Sequence, residues 1–238
     1  MASLHLLYAD SYRITDHIQI RIPTVGEILS QEDEYYDMVS MLTAVPYDMM
    51  VELDDAGIDF TKINDWELFL MLWHGVCEKD TSLVFGDLDV SRFRLMQNSE
   101  NGLVAMVNQQ TGAIIDRSVQ TQIAATLRKI NYLKRTTKKP GNEEAKKYLI
   151  KRAREKAKRK RKRTTDSQLE GLITALVNTE EFKYGFREVL DLSIYQFNAS
   201  LHQVIKKVDY NNLMRGVYAG TIKASEVSPD KLDWLTHK

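Results

Sequence analysis

Six consecutive cations, Lys158 to Arg163, place the strongest limit on how this chain can fold. Such a run offers no apolar face, and burying unpaired charges costs far more free energy than packing returns. We therefore expect this segment to face water or to meet carboxylates, either as a solvated helix or as a flexible linker.

The charges of the 238 residues are segregated along the chain, although 33 Lys and Arg balance 33 Asp and Glu. Residues 1–116 carry 20 acids and 6 bases, whereas residues 117–165 carry 19 bases and 3 acids. The net charges are therefore −14 and +16, and residues 166–238 add −2 from 8 bases and 10 acids. This asymmetry indicates regions that have different partners or that attract each other.

The first region opens with strand and helix patterns. Ile18, Ile20 and Ile22 alternate with polar residues, which predicts a strand with one buried face. Thr24 and Glu27 stand at capping-box spacing and mark a helix start. Further helices are predicted from an apolar stripe at Tyr35, Met38, Val39 and Leu42, from Pro46 ahead of Tyr47 to Leu53, and from Asn64 or Asp65 ahead of Trp66, Phe69, Leu70 and Trp73.

A small antiparallel meander is predicted next. Its short apolar runs are Leu83 to Phe85, Phe93 to Met96, Leu103 to Val107 and Ala113 to Ile115, and turn residues separate the last three at Asn98 to Gly102 and Asn108 to Gly112. In the second run we expect Arg92 and Arg94 to point outward and Phe93 and Leu95 to point inward. Helical spacing returns over Arg117 to Leu133.

The remaining patterns are helical. Asn142 is a predicted cap for a charged helix whose apolar stripe thins to Ala153 and Ala157. Asp166 or Ser167 restarts the pattern, Ser193 opens another helix, and a final helix is predicted near Pro229 to Leu235. The residues expected to be buried in the first two of these are Leu169, Leu172, Ile173, Leu176, Val177, Ile194, Phe197, Leu201, Val204, Ile205 and Val208.

These patterns predict an α+β protein that is predominantly α-helical. We expect an acidic mixed domain over residues 1–135 that contains the meander, a basic helix or linker over 136–165, and a small all-α unit over 166–238.

Catalytic and metal motifs are weak. His74 and Cys77 form an HxxC pair without a second ligand pair, and Asp87 and Asp89 form an acidic pair typical of turns. Phosphate-binding glycine loops and the motif contexts of cysteine or serine hydrolases are missing. We therefore expect no enzymatic activity, no cofactor and no metal site.

The basic segment is the candidate binding site. Its exposed cations could neutralise phosphates, although Tyr148 is the sole aromatic residue between Pro140 and Arg163. Alternatives are an acidic protein partner, docking on the acidic region of the same or a neighbouring chain, self-association, a solvated linker and a nuclear-import signal. The candidate residues for a partner or polyanion are Lys151, Arg152, Arg154, Lys158, Arg159, Lys160, Arg161, Lys162 and Arg163.

Compartment signals are few. A single cysteine, Cys77, cannot form an internal disulfide, which favours a reducing compartment. The apolar run from Leu68 to Cys77 is shorter than the roughly 20 residues of a membrane span, and we predict neither a signal peptide nor a membrane partner.

Several segments resemble tail-morphogenesis proteins of tailed bacteriophages that infect Gram-positive hosts, a group usually placed with tail assembly chaperones. The resemblance lies in IRIPTVGEI at Ile20 to Ile28, the acidic helix Glu32 to Leu42, QIAATLRKI at Gln122 to Ile130, PGNEEA at Pro140 to Ala145, and LSIYQFN at Leu192 to Asn198.

This resemblance implies a non-catalytic protein that acts between synthesis and assembly in the bacterial host cytoplasm. Its implied partners are the tape-measure protein, which such chaperones coat, and the tail-tube subunits that they recruit. A tail or baseplate protein that stays in the virion, and a nucleic-acid-binding protein that uses the basic segment, are the alternatives. Methionine-rich helical faces suit varied helical partners, or they are ordinary core, at Met38, Met41, Met49, Met50 and Met71.

Overall fold

A computed structural model describes residues 3–97, 102–136, 138–161 and 167–235, and for residues 3–5 and 159–161 it describes the backbone alone. About 57% of the described residues are helical, and they form eleven α-helices and two small antiparallel sheets. The predicted α+β, predominantly helical class is therefore confirmed.

The N-terminal part begins with α1 (Ser3–Tyr8) and a two-stranded sheet of β1 (Ser11–Arg13) and β2 (Gln19–Arg21), in which Ser11 pairs with Arg21. The isoleucines of the predicted strand are buried. Thr24 then caps α2 (Val25–Ser30) with the predicted capping box, because its side chain accepts from the Glu27 amide while Glu27 accepts from the Thr24 amide. The apolar stripe of α3 (Glu32–Thr43) is buried, as expected.

The next elements correct two predictions. Pro46 lies in a turn, and the helix after it is α4 (Met50–Asp55) instead of Tyr47 to Leu53. Asn64 caps α5 (Asp65–Cys77) as predicted. Leu83 to Phe85 belongs to the short helix α6 (Ser82–Phe85) and not to a strand, since a run of three apolar residues fits either structure when a neighbouring core buries it.

The meander is a three-stranded antiparallel sheet of β3 (Arg94–Gln97), β4 (Val104–Val107) and β5 (Ile114–Ile115), in that order. Its first predicted turn lies largely outside the described residues, at positions 98–101. Phe93 is buried as expected, but the expected burial of Leu95 is wrong, since its side chain is 59% exposed. β3 is an edge strand, and all four of its residues are exposed.

The second half of the chain is helical. It contains α7 (Arg117–Ile130), α8 (Glu143–Arg161), α9 (Gln168–Val177), α10 (Phe186–Leu190) and α11 (Ile194–Tyr218). Asn142 accepts from the Ala145 amide at the start of α8, and Ser167 and Ser193 cap α9 and α11. The final helix predicted over Pro229 to Leu235 is instead a single 3-10 turn, Pro229–Lys231.

One large hydrophobic cluster runs from Leu6 to Phe197 and includes the buried side chains of β2, α2, α3, α5, α7, α9 and the start of α11. A smaller cluster contains Met50, Leu53, Phe60, Leu68 and Ile150, and it joins α8 to α4 and α5. The domain boundaries at 135 and 165 stay a prediction. The large cluster contains buried side chains from residues before position 135 and from residues after position 165.

The two ends of this core meet where α2 and α11 begin. The Val25 amide donates to the Leu192 carbonyl oxygen at 2.8 Å, and the Ile194 amide donates to that of Pro23 at 2.9 Å. Gly26 permits the close approach, because a Cβ there would lie 3.2 Å from the Leu190 carbonyl oxygen. Among the described residues, no helix combines the length and the apolarity needed to cross a membrane.

Candidate functional site

The predicted binding site lies on α8, and one side of this helix is docked on the acidic part of the chain. Lys146 Nζ lies 2.8 Å from Asp59 Oδ2. About two turns further along the helix, Arg154 Nη2 lies 2.7 Å from Asp54 Oδ2 and 2.6 Å from Asp55 Oδ1. Between these ion pairs Ile150 is buried in the smaller cluster, so the docked side combines opposite charge with one apolar anchor.

The ion pairs shift the pKa values of the side chains that form them. Hydrogen bonds from Lys146 and Thr61 hold the pKa of Asp59 well below its usual range. The Asp59 and Glu143 carboxylates raise the pKa of Lys146, and those of Asp54 and Asp55 raise the pKa of Arg154. The docked side thus keeps its charges ionised around neutral pH.

The opposite side of α8 faces water. Lys151, Arg152 and Lys158, which belong to the predicted site, are exposed there, together with Lys147 and Tyr148. Arg154 instead belongs to the docked side and is half-buried. Arg159, Lys160 and Arg161 continue the helix, and Lys162 and Arg163 lie outside the described residues. That the site binds a partner or a polyanion stays a prediction.

The other residues considered for catalysis or metal binding make separate local contacts. His74 is exposed, with its Nε2 3.2 Å from Glu78 Oε1. The Cys77 thiol donates to the Val90 carbonyl oxygen at 3.6 Å, and burial raises the pKa of that thiol. Asp89 caps a 3-10 turn and accepts from Arg92 at 2.7 Å. Within the described part of the chain, no group of three or more His, Cys, Asp or Glu could hold a metal ion.

A surface that the sequence patterns did not reveal lies on the distal half of α11. Ile205 and Val208 were expected to be buried, but they are 52% and 38% exposed. The reason is the length of α7, which ends at Ile130: the following Tyr132 reaches α11 as far as His202, with ring centroids 5.6 Å apart. Ile205 and Val208 lie beyond this contact and form what we call the distal stripe.

The C-terminal segment covers a different side of α11. Gln203 Nε2 donates to the Trp234 carbonyl oxygen at 2.8 Å, and Lys207 Nζ lies 5.5 Å from the centroid of the Trp234 ring. Ile222 packs against Gly216 further along. The distal stripe therefore stays open while the adjacent side is occupied. The sequence does carry a signal for the exposed stripe: the apolar positions of α11 continue at helical spacing beyond the part of the helix that α7 can cover.

The positions of the methionines favour ordinary core packing over a surface for varied helical partners. Met38 and Met50 are buried in the large and the small cluster respectively, and Met41 and Met49 pack against them. Met71 is exposed.

Comparison with known proteins adds one finding. A family model, the YomV second domain, matches residues 158–238, which is about a third of the chain and includes α9, α10 and α11. No curated protein and no solved structure matches the chain. The segment that carries the distal stripe is thus similar to a domain of a phage-type protein family.

Proposed function

We propose that the protein is a non-catalytic phage tail assembly chaperone that holds a helical partner protein against the distal stripe of α11. The observation that carries the proposal is the exposure of Ile205 and Val208 inside the segment matched by the phage-type family. Two apolar residues at i and i+3 on an open helix side are the pattern with which one amphipathic helix packs on another.

The partners proposed for this role are the tape-measure protein and the tail-tube subunits. A tape-measure protein is long and helical, so it offers the amphipathic side that the distal stripe requires. The exposed cations of α8 would speed the encounter with acidic partner segments. They would add little affinity, because exposed charges interact weakly and are screened by salt.

A second candidate, nucleic-acid binding, is favoured by one observation. Lys147, Lys151, Arg152 and Lys158 are exposed on α8. Phosphate-driven binding must fall steeply as salt rises, so a titration of duplex DNA and of RNA at about 50 and 200 mM salt tests this candidate.

The chaperone proposal is tested by co-expressing the protein with the tape-measure protein of the same phage. We expect the double variant Ile205→Asp and Val208→Asp to lose co-purification of the tape-measure protein, because two carboxylates cannot be buried in an apolar helix contact. A matched control is Leu172→Asp on α9, whose side chain is 42% exposed, so the prediction that it is buried is wrong.

Circular dichroism spectra equal to that of the wild type will establish that both variants are folded. If the double variant retains the tape-measure protein as well as the control does, the proposal is wrong. Mass spectrometry of purified virions separates a chaperone, which is absent or depleted there, from a tail or baseplate component that remains.

A further inference from the structure

A cavity of about 670 Å³ lies along one side of α7, away from both α8's exposed cations and the distal stripe. Its floor is formed by Gln120, Ala124 and Ala125, and its other walls come from residues 45–47, 60–61, 63–66, 135–136 and 138–140. The two alanines on α7 leave the space open because their side chains are too short to reach the opposite wall. A volume of this size falls within the range of small-molecule sites, roughly 300–1,000 Å³.

The walls of the cavity are strongly positive although the surrounding region of the chain is acidic. Five cations line the cavity, namely Arg117, Arg128, Arg135, Lys138 and Lys139, against one carboxylate, that of Asp65. Asp65 already pairs with Arg135, whose Nη2 lies 2.7 Å from its Oδ2. Four of the five cations are thus left for another partner at this cavity.

Arg128 is the cation that most needs such a partner. Its guanidinium is half-buried and donates to the backbone carbonyl oxygen of Thr43. No carboxylate lies within 4 Å of it among the described residues. Burial and the neighbouring Arg135 charge lower the pKa of Arg128, while the Asp65 and Asp48 carboxylates oppose that shift.

Gln120, two turns before Arg128 on the same side of α7, adds a second unmet group. Its side chain is buried, and its Oε1 has no hydrogen-bond partner among the described residues. The Nε2 end of the same amide is a hydrogen-bond donor, and it is the end from which an anion could accept. Unpaired buried polar groups are rare, and a bound ligand is one of their ordinary explanations.

We propose that this cavity binds a small anion that carries at least two phosphate groups. One negative charge would leave most of the cations unbalanced, whereas a di- or triphosphate matches their number. Guanidinium groups bind phosphate oxygens in a bidentate manner, and lysines at the rim add further donors. The ligand is either inorganic polyphosphate or a nucleotide, since both offer the same charged groups to these side chains.

Calorimetric titration of the full chain with tripolyphosphate and with ATP at 150 mM salt tests the proposal. We expect Arg128→Gln to weaken tripolyphosphate binding at least tenfold. Arg152→Gln, which removes an exposed cation of α8, is the matched control, and we expect a change of less than twofold. A nucleotide as the natural ligand would be indicated by ATP binding more tightly than tripolyphosphate, and inorganic polyphosphate by the reverse.

A second variant separates binding from folding. Lys138→Gln combined with Lys139→Gln alters two exposed residues at the rim and leaves the core untouched, and we expect it to weaken binding at least threefold. The proposal is overturned if millimolar tripolyphosphate does not bind to the wild-type chain, or if Arg152→Gln weakens binding as much as the cavity variants do. In the latter case α8 binds the anion.

Discussion

At the residue scale, the contact between Asp59 and Lys146 links charge to stability. The pKa of Asp59 is lowered in the folded chain, chiefly by the hydrogen bond from Lys146 and then by those from Thr61. A carboxylate with a lowered folded pKa stabilises the protein above its unfolded pKa, about 4, and this contribution is lost as the pH falls through the folded value. The raised pKa of Lys146 has the opposite sign and matters only at alkaline pH.

We therefore predict that Asp59→Asn lowers the free energy of unfolding at pH 7, and that this difference shrinks as the pH falls from 4 to 2 without vanishing. An asparagine resembles the protonated aspartate, so the wild type should approach the variant as the carboxylate is protonated. Urea denaturation at pH 7, 4 and 2 measures the difference, with Asp87→Asn at an exposed turn residue as the control. A difference that stays constant over this pH range would show that the Lys146 contact contributes nothing.

At the element scale, α8 is attached to the rest of the molecule through one side and a small cluster. Ile150 is only 7% exposed, whereas Tyr148, two residues earlier, is 63% exposed. Around Ile150 the contacts are those of the smaller cluster, with Met50, Leu53 and Phe60. Loss of this one side chain should therefore loosen the helix without disturbing the large cluster.

We predict that Ile150→Ala removes roughly 2–5 kcal/mol of stability from the docking of α8. Amide hydrogen exchange should become faster in α8 and stay unchanged in α3 and α7, which belong to the large cluster. Tyr148→Ala is the control, and it should leave exchange in α8 nearly unchanged. Faster exchange throughout the chain would mean that α8 is part of the main cooperative unit.

Local physics explains which elements the sequence could reveal. The capping boxes at Thr24 and Asn64 and the alternation of Ile18, Ile20 and Ile22 depend on neighbours a few residues away, and these predictions are confirmed. Burial of Leu95 and Ile205 depends instead on whether another element reaches them, and no local spacing contains that information.

The candidate sites also divide into features that the local sequence shows and features that depend on distant contacts. The charged run of α8 can be seen in the sequence, and it predicts contact with water or with carboxylates. The sequence does not show which carboxylates these are, because Arg154 lies 100 and 99 residues from Asp54 and Asp55. The cavity cations are spread over Arg117 to Lys139, and they become a cluster only because α7 and the segment after it face residues 45–66. Such a site cannot be recognised from spacing.

At the scale of the whole molecule, the large cluster makes stability a shared property of both halves. Phe197 is fully buried in it, and it contributes from the start of α11 to a core that begins at Leu6. A side chain in the C-terminal third thus supports strands and helices near the N-terminus.

We predict that Phe197→Ala destabilises the chain by roughly 3–5 kcal/mol and lowers a single melting transition. Phe186→Ala, at an exposed phenylalanine of α10, should cost less than about 1 kcal/mol. Calorimetry compares the two variants. Two separate transitions, with only the later part of the chain affected by Phe197→Ala, would show that residues 166–238 fold as an independent unit.

The backbone hydrogen bonds between the start of α2 and the start of α11 have a consequence for biosynthesis. The Val25 amide bonds to Leu192, which is synthesised roughly 170 residues later, a delay of about 10–30 s at elongation rates of roughly 5–20 residues per second. During that interval the early isoleucines lack the helices that cover them, and contacts between such distant positions form slowly. A chain interrupted before Leu192 therefore lacks the part of the large cluster that Ile194, Tyr195 and Phe197 supply, and its early strands and helices have an incomplete core.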